Sequence, residues 1–525
     1  MFGSSYSSLI SSKLSHSSTK LINKTSKLLS ISKSLETSYY NREGLKKDEG
    51  FSIENKDIEE YNESGPMVNT YTKLMVNNYN NIILSSLPTV ILNNIKLVDP
   101  LQLLIKDKVE ELDVYGDCCG YMVLLFSRLL NYSRELVLDG LNITQLVDIL
   151  REVRQLLYEK CDDYKIKEIV DYKDKKILSK ILKGVMQSET LENLLVEAIS
   201  RSNGKDLEFL DDIRINKVSV GVLKDSYLME GMVFDGEPAG TVKGLKIENK
   251  PYRTAIYNCP LDISRTETKG TLLFQNADDL ESFSTKESTD IKSLVDKIAS
   301  NDDLRLVIVS GETEPRHLDY FNKKNIMVFK VQSKFDIRRV RKMLGGTLSL
   351  TLNELRDEHL GRIKGVRVYR EGGRLYTQLL PYNSDNTIHT IVLKDSLKAN
   401  TDEYERMIDK GIRVLKKNIY EEDDMNKILL TEGAGIFENR ISKLLNERSA
   451  EFKDIRKMVY NKLSLAFGEF NTNNKDKIYD IFTPKIKATL YAIDILCNVL
   501  LTEDILISKG EDMQVRPPTG NWDNH

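Results

Sequence analysis

The sequence predicts an α+β multidomain chain in which a helical domain, built from both chain ends, is split by an inserted α/β domain. Three observations carry this. Residues 74–215 place apolar side chains at helical spacing. Residues 217–397 switch to short β-rich runs with helical stretches between them. Residues 402–508 return to helical spacing.

Taken in order, the chain begins with a Ser/Lys-rich segment without an acidic residue from Met1 to Leu35. That composition resembles a mitochondrial presequence, but it lacks arginine. The spacing of Leu21, Ile22, Leu28, Leu29, Ile31 and Leu35 favours a frayed tail leading into a helix. Asp48 to Glu63 is strongly acidic and reads as a solvated loop. Helices are expected over Tyr121–Leu138, with Gly140 close to the position after the last turn, and over Leu146–Leu157 and Leu191–Ile199. Strands are expected at Lys217–Val222, Arg253–Asn258, Leu304–Val309, Ile326–Val331 and Thr390–Leu393. Ile291–Ser300 and Ile337–Leu344 read as helices. Leu304–Val331 reads as strand, turn at Gly311, helix and strand, the pattern of a parallel sheet. Tyr404–Leu415 and Ile486–Leu501 are the clearest later helices. The polar end, Gly510 to His525, is expected to be disordered.

Composition limits the function. A length of 525 residues fits three or four domains. The net charge of −3 and pI of about 6.1 argue against a dedicated nucleic-acid binder. Five scattered cysteines without a CxxC pair make neither a disulfide framework nor a zinc site and suit a reducing compartment. No apolar run approaches the roughly 18 residues a membrane helix needs. No internal repeat of a solenoid is visible.

Among motifs, no Walker A loop, GxGxxG or HExxH occurs. Gly116-Asp117-Cys118-Cys119-Gly120 precedes a strong helix. Such a turn can present N–H groups to an anion, with a carboxylate able to hold Mg²⁺ beside phosphate. The simpler alternative makes Asp117 a helix cap. Gly433-Ala434-Gly435 either admits a ligand close to the backbone or is an ordinary helix-initiating turn. Arg338, Arg339, Arg341 and Lys342 form a basic helix face, more simply a solvated face than a nucleic-acid site.

Several stretches together resemble the group II chaperonins, most specifically the theta-type subunits of the eukaryotic cytosolic chaperonin. They are Gly231–Pro238, Cys259–Phe274, Asn276–Ser284, Ser333–Arg339, Thr390–Lys394 and Gly520–Asp523. The resemblance implies a tail at 1–19 and an equatorial domain at 20–152 (with an acidic insert at about 46–70) and 403–509. It implies an intermediate domain at 153–219 and 370–402, an apical α/β domain at 220–369, and a disordered tail at 510–525. It implies ATP or ADP with Mg²⁺, paralogous subunits in a cytoplasmic hetero-oligomeric double ring, and unfolded clients such as actin and tubulin. Neither nucleic acid nor membrane is an expected partner. The residues it assigns to nucleotide are Gly44, Gly116, Asp117, Gly433, Ala434, Gly435 and Asp480, with Asp117 the Mg²⁺ ligand. Arg338, Arg339, Arg341 and Lys342 would face substrate.

The nucleotide motifs depart from the family pattern. The family's GDGT loop reads Gly116-Asp117-Cys118-Cys119 here. Ser86 stands where a second phosphate-proximal aspartate belongs. The first loop aligns at Gly44, with Gly65 as a rival. In the pattern ER-x-x-x-D, Glu405-Arg406 is followed by Lys410 at the water-activating position, and Asp409 is one residue early. One residue is about 100° around a helix, so Asp409 is expected to point elsewhere. A protonated lysine is no general base. Weak or absent ATP hydrolysis is therefore expected, with no catalytic residue assigned. The alternative is a purely structural ring subunit without nucleotide.

Overall fold

The computed structural model describes residues 72–502, except 77–80, 96–99, 187, 203–206, 248–249, 262–276, 302, 383–387, 423–424 and 471–477. Gly44, Gly65, the Ser/Lys-rich start, the acidic insert and the tail from 510 lie outside the described residues.

The first described segment is a two-stranded antiparallel ladder, β1 (Lys73–Val76) and β2 (Ile82–Ser85), followed by four helices. In α1 (Pro88–Asn94) proline opens the first turn, where no N–H is needed. Then come α2 (Pro100–Asp113), α3 (Cys119–Leu138) and α4 (Ile143–Lys160). Gly140, at φ 97°, ends α3: its N–H reaches Val137 O at 3.1 Å, and the Leu141 N–H reaches Leu136 O at 3.0 Å. Asn142 caps α4 by accepting the Thr144 N–H at 3.0 Å.

β3 (Ile166–Ile169), α5 (Lys175–Leu182), α6 (Glu189–Arg201), β4 (Arg214–Val218) and β5 (Tyr227–Glu230) follow. The strand expected at 217–222 lies earlier, because Gly221 at φ 87° turns the chain into a short 3₁₀ stretch. The middle of the chain holds β6 (Met232–Asp235), β7 (Tyr252–Tyr257), α7 (Ala277–Ile298), β8 (Leu304–Val309), α8 (Pro315–Lys323), β9 (Met327–Lys330), α9 (Lys334–Leu344), β10 (Leu348–Ser349), β11 (Gly361–Glu371), β12 (Arg374–Pro381) and β13 (His389–Lys394).

Strands β7, β8 and β9 are parallel neighbours, as the strand–helix–strand reading requires. β11, β12 and β6 extend the sheet antiparallel, in the order β6-β12-β11-β7-β8-β9. Alternation along β8 sends Leu306 and Ile308 to one face, with Ile337 and Val340 of α9. Val307 and Val309 go to the other, with Val295 of α7 and Phe321 of α8.

The last part contains α10 (Lys398–Asn418), β14 (Ile419–Glu422), β15 (Met425–Glu432), α11 (Ile436–Glu451), α12 (Ile455–Gly468), β16 (Tyr479–Ile481) and α13 (Phe482–Leu501). A uniformly helical reading after residue 402 therefore needs correction. β15 pairs with β14 and β16 and also with β3, some 260 residues earlier in the chain. A strand fixed by so distant a partner leaves little local periodicity.

Two more hydrophobic clusters join distant segments. Leu125, Phe126 and Leu150 from α3 and α4 pack with Phe437, Phe467 and Leu496 from α11, α12 and α13. Leu178, Leu195, Ile391, Ile408, Val414 and Ile428 form another. The domain edges expected at 152/153 and 402/403 fall inside α4 and α10, which run unbroken past them.

Candidate functional site

Between these two clusters lies an open cleft. It is lined by Ser86, Thr89, Asp113, Gly116 to Tyr121, Gly184, Val185, Lys410, Asp480 and Lys485, among others.

One wall is the turn into α3. Gly116 has φ 77°, and a Cβ there would meet the Val414 methyl at 2.9 Å and Lys410 O at 3.2 Å. Glycine is thus required twice, for its conformation and for the close approach of α10. The residue that caps α3 is Cys118, at φ 65°, and its side chain makes no cap hydrogen bond. The helix-cap alternative for Asp117 is thereby overturned. Asp117 instead turns its carboxylate to Lys410, whose Nζ lies 3.4 Å from Oδ1. Its Oδ2 accepts from the Cys118 thiol at 3.7 Å. Burial, then the Asp117 charge, pushes the Cys118 thiol well above its ordinary value, and burial does the same for Cys119. Both are neutral thiols; against the GDGT pattern Cys118 stands at the second glycine and Cys119 at the threonine.

The opposite wall is α10. Lys410 Nζ also donates to Val185 O at 3.2 Å. Asp409 is exposed and does not line the cleft; its charged neighbours are Glu405, Arg413, Arg339 and Lys217. The 100° offset expected from sequence is what the helix shows. Glu403, about two turns before Lys410, accepts the Ser86 N–H at 2.7 Å and the Ser86 hydroxyl at 3.0 Å. Arg406 bonds Glu403 at 2.9 Å and Leu84 O at 2.6 Å. Arg413 pairs with Asp113, and Asn418 donates to Tyr115 O at 3.0 Å. Residues 403, 406, 410 and 413 share one helix face, so this stripe binds α10 along the cleft rim.

The cleft floor comes from β16 and α13. Asp480 Oδ2 lies 2.8 Å from Lys485 Nζ, which is 2.6 Å from Glu438 Oε1. Lys485 and Glu438 are 5% and 0% exposed. The ammonium also lies 3.9 Å from the Tyr121 ring centroid. Burial opposes charge on Lys485, but Asp480 and Glu438 outweigh it and hold the group well above its ordinary value.

Gly433, Ala434 and Gly435 are buried and do not line the cleft. A Cβ at Gly433 would come within 2.8 Å of Asp480 Oδ1, so the space is taken by the chain's own carboxylate. Ala434 and Gly435, at φ 53° and 80°, make the helix-initiating turn of α11. Arg338, Arg339, Arg341 and Lys342 lie on α9, away from the cleft lining. Arg339 is engaged by Asp211 O at 2.8 Å and Asp336 at 3.1 Å, and Lys342 by Asp212 at 2.5 Å. Arg338 and Arg341 are exposed. The basic face expected from sequence is thus divided.

Lys485, Glu438, Glu403 and Asp113 had no place in the sequence reading. A signal existed for Lys485: it is a charge near the start of a helix whose other residues are largely apolar.

The residues fit a divalent cation poorly. Asp113, Asp117 and Asp480 each face a cationic side chain of this chain. No group of three metal-ligating side chains occurs among the described residues. No described helix is long and apolar enough to cross a membrane.

A sequence profile of the TCP-1/cpn60 chaperonin family matches residues 65–472. The chain is 37% identical over 431 residues to T-complex protein 1 subunit theta of Encephalitozoon cuniculi, covering 82% of this chain and 85% of that protein. It is 32% identical over 328 residues to the protein of the same name from Saccharomyces cerevisiae, covering 60% of this chain and 57% of the yeast protein. With a probable theta subunit of Schizosaccharomyces pombe the identity is 29% over 353 residues, or 65% and 62% of the two chains. With its α+β sheets and helices in hand, the chain belongs to the TCP-1/cpn60 chaperonin family.

Proposed function

We propose that this chain is a theta-type subunit of a cytoplasmic hetero-oligomeric double-ring chaperonin that encloses unfolded proteins, actin and tubulin among them, using ATP. Its own hydrolysis of ATP is weak or lost. The observation that carries the second statement is Lys410. It occupies the water-activating position and faces Asp117 at 3.4 Å. A lysine ammonium has three donors and no lone pair, so it cannot take a proton from water. Asp113, Asp117 and Asp480 are each paired with a cation of the chain itself. ATP or ADP is assigned to the cleft through Gly116, Asp117 and Asp480, with Gly433 to Gly435 behind.

We assign the first hydrophobic cluster to the equatorial domain, the second to the intermediate domain, and the two faces of the central sheet to the apical domain. The joining of both chain ends in the first cluster supports this. Arg338 and Arg341 are then exposed apical cations available to clients. The five free thiols support a reducing, cytoplasmic location.

The second reading, a structural ring subunit without nucleotide, is favoured by the internal pairing of the three cleft carboxylates. Turnover by assembled rings whose other subunits are hydrolysis-dead tests the proposal. No turnover above background is expected. Turnover abolished by Asp117→Ala in this chain would sink it.

A further inference from the structure

We infer that the cleft binds its nucleotide as the free polyphosphate, with the Lys410 ammonium standing at Asp117 where a divalent cation would stand. The inference rests on the proposal that the cleft holds nucleotide, and it departs from the metal dependence that the sequence led us to expect.

The argument starts from Asp117. Its Oδ1 faces Lys410 Nζ at 3.4 Å and its Oδ2 accepts from the Cys118 thiol at 3.7 Å. Mg²⁺ needs near-octahedral oxygen donors at about 2.0–2.1 Å. A dication on Oδ1 at about 2.1 Å would lie within about 5.5 Å of an ammonium, with no second free carboxylate to offset the repulsion. Asp113 and Asp480 are held by Arg413 and Lys485.

Lys410 cannot simply swing away. Its Nζ is tied to Val185 O at 3.2 Å, and its backbone carbonyl packs closely under Gly116, 3.2 Å from where a Cβ would stand. One N–H is placed on Val185 O, and the ammonium faces Asp117 as an ion pair at 3.4 Å. The ammonium can then donate to a phosphate oxygen at the mouth of the turn, a charge-assisted bond of the stronger kind. The cation that ordinarily arrives with the nucleotide is here part of the chain.

The test is subunit-resolved photolabelling of the purified assembly with an azido-adenine nucleotide, in Mg²⁺ and in EDTA. Labelled chains are separated by mass. Labelling of this chain is expected to change by less than about 3-fold between the two conditions, about 0.7 kcal/mol in binding terms. Lys410→Arg is expected to keep this behaviour. Lys410→Asp is expected to label at least about 10-fold more weakly in EDTA than in Mg²⁺, having gained a carboxylate and lost the ammonium. Wild-type labelling that collapses in EDTA overturns the inference and leaves nucleotide binding standing. No label in either condition overturns both. Lys410→Asp labelling unchanged in EDTA removes Lys410 from the account.

Discussion

Lys485 holds together the floor of the cleft. It is an ammonium with almost no exposure, placed between two carboxylates and against an aromatic face. Removing one member of a buried charged group leaves the others uncompensated, which costs far more than the group contributes net. Lys485→Met is therefore expected to lower the stability of the full chain by about 3–5 kcal/mol, read by chemical denaturation. Adding Glu438→Gln should recover part of that loss. The pH dependence has a definite sign. The folded-state value is raised above the ordinary 10.5, so the stabilisation is complete below 10.5 and is lost only as pH climbs through the higher folded value. The gap between wild type and variant should stay constant from about pH 7 to pH 10 and narrow beyond. Of this floor only Asp480 was legible in sequence. Glu438 and Lys485 are 47 residues apart in the chain and identify each other only once α11 and α13 are packed. Lys410 was legible only through the family pattern after Glu405-Arg406, and the direction of Asp409 through the fixed angle of one helical step.

Helix α10 shows how an element can be foreseen without its purpose. The apolar spacing of Ile408, Val414 and Leu415 predicts the helix and its buried side. The polar stripe through 403, 406, 410 and 413 carries no such signature, because its partners lie some 300 residues earlier. Arg406→Ala removes the cation from the buried Glu403 and a donor from Leu84 O. We expect a loss of about 1–3 kcal/mol. Hydrogen exchange should show the effect locally, as faster exchange of the Ser86 amide, with little change in the central sheet. Uniform acceleration across the chain, or none at Ser86, would count against the stripe as a local tie. The strands after residue 418 went unread for the same reason. β15 is buried by β3 and β16, and neither is near it in sequence.

At the scale of the molecule, two kinds of core coexist. The two main clusters on the central sheet draw on residues between 232 and 388, and a small one joins β6 and β12 to Val218 and Val392, whereas the helical cluster unites residues 91–157 with 437–500. A fragment of residues 225–395 should unfold cooperatively on its own, and one of residues 72–160 should show little helix by circular dichroism. A stable 72–160 fragment would contradict the dependence of α3 and α4 on α11 to α13. In sequence, the alternation of helical and strand-rich regimes led to the expectation of a helical domain split by an inserted α/β domain. At the expected edges 152/153 and 402/403, α4 and α10 run on without a break. The stripe on α10 bears on cooperativity. A ligand shifts a conformational equilibrium only by its differential affinity for the two states. A chain that already fastens this helix with its own carboxylates and cations leaves a nucleotide little equilibrium to shift. In the proposed ring such a subunit would add a constant bias rather than a ligand-dependent term, and the sigmoidal response to ATP would be set by its neighbours alone.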